Sequence, residues 1–297
     1  MKKYLSAKNI SIGATVLALI ASGVFFLTNG SSNGGSGRAL PNGIVPGPAG
    51  IASGALIGRG QTAWVLTNTG TASNAQLISV STGKVSAIIP TSLDATSIAF
   101  GAQNTVAVGA GTPTSGFVAF FNGITRFQTG VIPTAGPVTA VSAVPHSNNF
   151  YAMISTPTAK AIQILNPVLM RVEKPTFPLP SDATSFTVSA DGATLVVLKL
   201  GGKVTYISTT TGQITQTFEV GPNPISVAVS PDATRLYVLK GIGSLNVAVI
   251  NASTEAVLRA IAAPQNAHAL AVTSDGASLV DFVGTYKVGN IQIFSTN

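Results

Sequence analysis

The chain has 297 residues, of which 45% are apolar and only 8% charged, with no cysteine and a formal net charge of +7. An ordinary soluble domain is roughly 25% charged, so the composition argues against amphipathic helices, which need charged outer faces, and the apolar content argues against a disordered chain. The missing cysteine excludes disulfides, thiolate metal sites, thiol nucleophiles and a lipid-anchor cysteine.

The first 28 residues have a basic start, with Lys2, Lys3 and Lys8, followed by an uncharged and mostly apolar stretch over 10–27. A helix rises about 1.5 Å per residue, so such a stretch nearly crosses a hydrocarbon core of about 30 Å. Residues 1–28 therefore read as a transmembrane or signal-anchor segment, with cleavage and secretion as the second reading. The preceding lysines predict a cytoplasmic N-terminus and a cell-surface or periplasmic location for the rest. Without those three lysines, 13 basic residues face 9 acidic ones, a charge of about +4. That is too sparse for a nucleic-acid partner, which needs dense Lys/Arg clusters. Residues 29–39 are rich in Gly, Ser and Asn and read as a flexible linker.

From residue 40 onward the chain repeats. The clearest unit, residues 222–261, holds four short runs, ISVAVS, RLYVL, LNVAVI and AVLRAI, separated by SPDAT, KGIGS and NASTE. The runs alternate or are β-branched, and the breaks are rich in turn formers. A position in the second run recurs as Trp64, Ala107, Tyr151, Val196, Tyr237 and Val280, at spacings of 43, 44, 45, 41 and 43. Prolines near the end of the fourth run keep the same rhythm: Pro46, Pro90, Pro133, Pro180, Pro222 and Pro264. Four strands in about 40 to 45 residues make one propeller blade. The expected fold is all-β: a β-propeller of about six four-stranded blades spanning 40–297. The last unit ends after its third strand, NIQIFSTN, so residues 40–46 are expected to pair with it as the missing outer strand and remove the open edge.

The residues SVAVSPDATRLYVL followed by LNVAVINASTEAVLRAI resemble the YVTN-type β-propeller repeat of bacterial and archaeal surface proteins. The likeness is close over 182–263, partial over 264–297 and weak before 160. It implies architecture more than activity. Some propellers of this kind are lactonases or cofactor-dependent oxidoreductases, mostly with seven blades, so the resemblance also admits a seventh.

Few residues suit chemistry. His146 falls in a turn between first and second strands and His268 just before a first strand, on opposite faces of a propeller, so they are not expected to share a metal. Asp94, Asp182 and His268 lead into the first strands of units two, four and six, spaced around one mouth of the channel. Lys160, Lys199, Lys203, Lys240 and Lys287 fall in or beside second-to-third strand loops on that same face, where a basic rim suits an acidic partner. These eight residues are the candidate binding set. The segment STGKVS lacks the upstream glycine of a phosphate loop. No catalytic group, metal or cofactor is expected. The reading is a membrane-anchored binding or scaffold module with a protein or envelope-polymer partner. A lactonase-like hydrolase and a subunit of a surface lattice or filament are the alternatives.

Overall fold

The computed structural model describes residues 42–241, 245–285 and 287–296. The expected anchor and linker, 1–28 and 29–39, lie outside the described residues. Among the described residues no helix is long and apolar enough to cross a membrane.

The described chain forms six four-stranded antiparallel sheets. The first blade is β2 (Ile51–Ile57), β3 (Thr62–Asn68), β4 (Ser73–Ser79) and β5 (Val85–Thr91). The second is β6 (Ala95–Phe100), β7 (Thr105–Thr112), β8 (Ser115–Asn122) and β9 (Gln128–Thr134). The third is β10 (Val138–Ala143), β11 (Phe150–Ser155), β12 (Lys160–Asn166) and β13 (Arg171–Leu179). The fourth is β14 (Ala183–Val188), β15 (Thr194–Lys199), β16 (Lys203–Ser208) and β17 (Ile214–Glu219). The fifth is β18 (Pro224–Val229), β19 (Arg235–Lys240), β20 (Asn246–Asn251) and β21 (Val257–Ala262). The sixth joins β22 (Ala267–Val272), β23 (Ser278–Gly284) and β24 (Gly289–Ser295) to β1 (Gly43–Gly47) from the other end of the chain.

The first strands touch in cyclic order, β2 to β6, β10, β14, β18, β22 and back to β2, so the six sheets stand around one axis. This is a six-bladed β-propeller. Small residues at the axis let the strands crowd: Ala55, Ala99, Ser142, Thr187, Ala228 and Ala271 occupy equivalent places, and all are buried. At the seam of blades one and six the packing is close enough that a side chain on Gly54 would meet the Phe282 ring at 2.6 Å. The recurring second-strand position, from Trp64 to Val280, is buried in every blade. The apolar core is thus annular, lying between successive blades.

β1 pairs antiparallel with β24, with Gly43 opposite Ile293 and Gly47 opposite Gly289. Strand direction then sorts the loops. Loops leading into first strands, and the second-to-third hairpins, share one face, the upper face. First-to-second and third-to-fourth hairpins share the lower face, and the chain comes into β1 from there.

Each first strand carries a β-bulge at its second residue: 52, 96, 139, 184, 225 and 268. A bulge re-aims one side chain and increases local twist. Thr139 donates its hydroxyl to Met153 O (3.2 Å) and Thr184 to Leu198 O (3.2 Å), while Thr96 reaches across to Val138 O of the next blade (2.8 Å).

Candidate binding face

The bulge also moves one expectation. His268 is the second residue of β22 and not part of the loop before it, because the bulge starts that strand earlier than its alternation suggests. Its Nε2 lies 2.6 Å from Gly284 O. Burial holds its pKa below the ordinary imidazole value, with the Gly284 carbonyl pulling the other way. Its contact with Gly284 repeats the bridge from bulge residue to second strand that Thr139 and Thr184 make.

Asp94 stays exposed in blade two, with its backbone N–H donated to Ser92 Oγ (3.3 Å). Asp182, in blade four, is engaged: Lys199 Nζ stands 3.4 Å from its carboxylate. From blade three, Lys160 donates to Ala183 O at 2.6 Å. Desolvation lowers the Lys160 pKa, and the neighbouring Asp182 charge partly restores it. The upper face therefore brings Lys160, Asp182 and Lys199 together across the seam of blades three and four. Lys203 pairs with Glu219 at 3.2 Å on the same blade. Lys240 follows on blade five, its ammonium close to Gly221. Four ammonium groups thus share this arc with two carboxylates, leaving a local excess of positive charge. Lys287 lies on blade six, exposed and apart from the cluster. Asp94, Asp182 and His268 stand on alternate blades and are not brought together.

His146 lies in the β10–β11 turn of the lower face, where its charge helps lower the pKa of Asp191, though less than the Ser189 hydroxyl and the Ala193 amide do. Two of the clefts among the described residues lie away from the axis. One, of about 340 Å³, opens between blades one and two and is mainly apolar, with Val108, Phe117, Phe121 and Val131 among its walls. The other, of about 210 Å³, lies between blades five and six; there Arg235 and Arg259 donate to Thr296 O (2.9 Å) and Ser295 O (3.2 Å), so the guanidiniums hold the end of the last strand.

One buried ionisable group escaped the sequence reading. Asp281, in the middle of β23, is fully buried and neither carboxylate oxygen has a hydrogen-bond partner. Burial raises its pKa well above the usual carboxylate value. The equivalent residues of the other blades are Val65, Val108, Ala152, Val197 and Val238, all buried. Among the described residues no group of three or more His, Cys, Asp or Glu is placed to hold a metal ion.

No protein-family model matches the chain, and no curated protein matches it. Solved structures do: the hydrazine synthase of Kuenenia stuttgartiensis superposes with a TM-score of 0.65 at 11% identity, over 83% of this chain and 83% of that one. At that identity the likeness is one of fold. The YVTN resemblance rests on the repeat motif by itself.

Proposed function

We propose that the protein is a membrane-anchored, extracytoplasmic propeller of the YVTN type that acts as a binding or scaffold module, with the upper face of blades three to five as its binding surface. The observation that carries this reading is the Lys160–Asp182–Lys199 cluster. Lys160 holds a cation in a half-buried position against a backbone carbonyl, near the Asp182 carboxylate that Lys199 pairs with. Removing an ammonium from water is unfavourable unless paired, so an acidic group arriving over the seam gains a partly desolvated partner. The ligand chemistry is a carboxylate or phosphate borne by a protein or envelope polymer. Extracytoplasmic placement is supported by the order of lysines and apolar stretch in 1–28.

The test is crosslinking of the full chain in native membranes, followed by mass spectrometry, beside a Lys160→Ala/Lys199→Ala variant and a Lys287→Ala control. A partner held by this face is lost from the double variant and kept by the control. Equal recovery from all three removes the blade-three-to-five surface from the account.

A further inference from the structure

The third-to-fourth hairpin is built the same way in five blades, and in two of them its tip has the wrong chemistry for solvent. Strand register aligns 79–84, 122–127, 166–171, 208–213 and 251–256. Each turn has a left-handed residue in fifth place: Gly83 (φ +69°), Arg126 (+67°), Met170 (+49°), Gly212 (+70°) and Glu255 (+62°). In three of them the asparagine in first place caps the turn. Asn122 Oδ1 accepts from the amides of Ile124 and Thr125, Asn166 Oδ1 from Val168 and Leu169, and Asn251 Oδ1 from Ser253 and Thr254, all at 2.9–3.0 Å. The turn thus rests on backbone and asparagine, and the tip side chains are free to vary.

Blades one, four and five place hydroxyls at the tip: Ser81 and Thr82, Thr210 and Thr211, Ser253 and Thr254. Blades two and three place Ile124, Val168 and Leu169 there, followed by Phe127 in blade two. These side chains are 70%, 64%, 55% and 77% exposed. Met170 rests on Gly130 of β9, so the two apolar hairpins touch and form one patch. Exposed Arg126 lies within it, and Arg171, paired with Glu173 at 3.1 Å, lies at its edge.

In blade six the sixth equivalent position is where the chain comes into β1. The six positions are related by the ring's pseudo-symmetry and share one plane across its lower face. Blade three stands opposite blade six. A chain tethered by 10–27 is therefore held to the bilayer at one side of that plane and presents the apolar patch at the other. The carboxylates of this face, Asp191, Asp232, Asp275 and Glu255, are exposed but engaged: Asp191, Asp232 and Asp275 accept from their own hairpin hydroxyls and amides, and Glu255 accepts from Gln216.

We infer that the hairpin tips of blades two and three insert into the interfacial layer of the membrane that carries the tether, so that the propeller lies with its lower face on the bilayer and its upper face outward. Apolar tips with flanking arginines suit the headgroup–acyl boundary, and anionic headgroups suit the arginines. The inference rests on the membrane-tether reading proposed above.

Because the chain has no cysteine, single spin labels report one place each. The full chain is reconstituted in vesicles of phosphatidylethanolamine and phosphatidylglycerol, with labels at Ile124→Cys, Val168→Cys or Thr114→Cys, the last in the β7–β8 loop of the upper face. The expected result is vesicle co-flotation, with oxygen accessibility several-fold above that of an aqueous relaxant at 124 and 168 and the reverse at 114. Aqueous labels at all three positions in protein that floats overturn the inference and leave the tether standing. Protein that does not float overturns both.

Discussion

Replacing Asp281 with valine should stabilise the propeller, and by an amount that grows with pH. The carboxyl is fully buried in β23, between Leu270 and Gln292 of its neighbour strands, and among the described residues no atom hydrogen-bonds to it. A buried polar group left without a partner costs about 1–3 kcal/mol, the gain expected from valine when the carboxyl is protonated. Titration adds to this. The folded-state pKa is raised above the unfolded one, so the folded state holds its proton more tightly. The protonated group's full contribution is present below about pH 4, near the unfolded carboxylate value. It is lost as pH rises toward the raised pKa, at about 1.4 kcal/mol per unit. As pH rises above the ordinary carboxylate range the advantage of Asp281→Val should therefore widen, levelling off once the raised pKa is passed. Urea denaturation of both proteins at several pH values measures it, and titrations common to both cancel in the difference. A constant difference between the two proteins, or a valine variant less stable than the parent, refutes the reasoning.

Gly83→Ala should be severely destabilising, because the added Cβ falls on the Pro46 carbonyl oxygen of the closing strand at a φ of +69°; a melting temperature within a degree or two of the parent, roughly what 0.5 kcal/mol moves in a domain of this size, contradicts the tight seam between blades six and one. Ala233→Gly should do the opposite. Ala233 holds φ +56° in the turn where blades four and six use Gly192 and Gly276, and relief of about 1–2 kcal/mol of left-handed strain outweighs the entropy of the added glycine by about 0.5 kcal/mol, read as a small rise in melting temperature. Lys203→Ala should leave stability within about 1 kcal/mol by chemical denaturation, since its pair with Glu219 is solvent-exposed and such pairs contribute little.

The six blades were legible because two independent rulers, the second-strand position and the fourth-strand prolines, agreed on one period: the first marks a buried side chain in every blade, and the second falls near the end of the outer strand, inside it at Pro46, Pro90 and Pro133 and just past it at Pro180, Pro222 and Pro264. The turn chemistry was legible for the same reason, since Asp191 and Asp275 are followed by glycines at positive φ. What escaped was whatever depends on blades meeting one another. Asp281 sits in SLVDFVG, where an aspartate in an alternating run reads as a solvent-facing residue; only the stacking of blades on both sides of β23 buries every residue of that strand. Asp182 and Lys160 lie far apart in sequence, and the seam of blades three and four brings them together. His268 was placed one step too early because alternation does not reveal a bulge. The aliphatic tips of blades two and three stand out only when the five hairpins are aligned by register, since Val168 and Leu169 read alone are ordinary members of an apolar segment.

The proposed tethering of the propeller outside the cytoplasm is tested by impermeant-maleimide labelling of a Thr114→Cys variant in intact cells. The expected result is labelling without lysis, of protein that stays with the membrane after a carbonate wash. Labelling that requires lysis, or protein recovered in the soluble fraction, contradicts it.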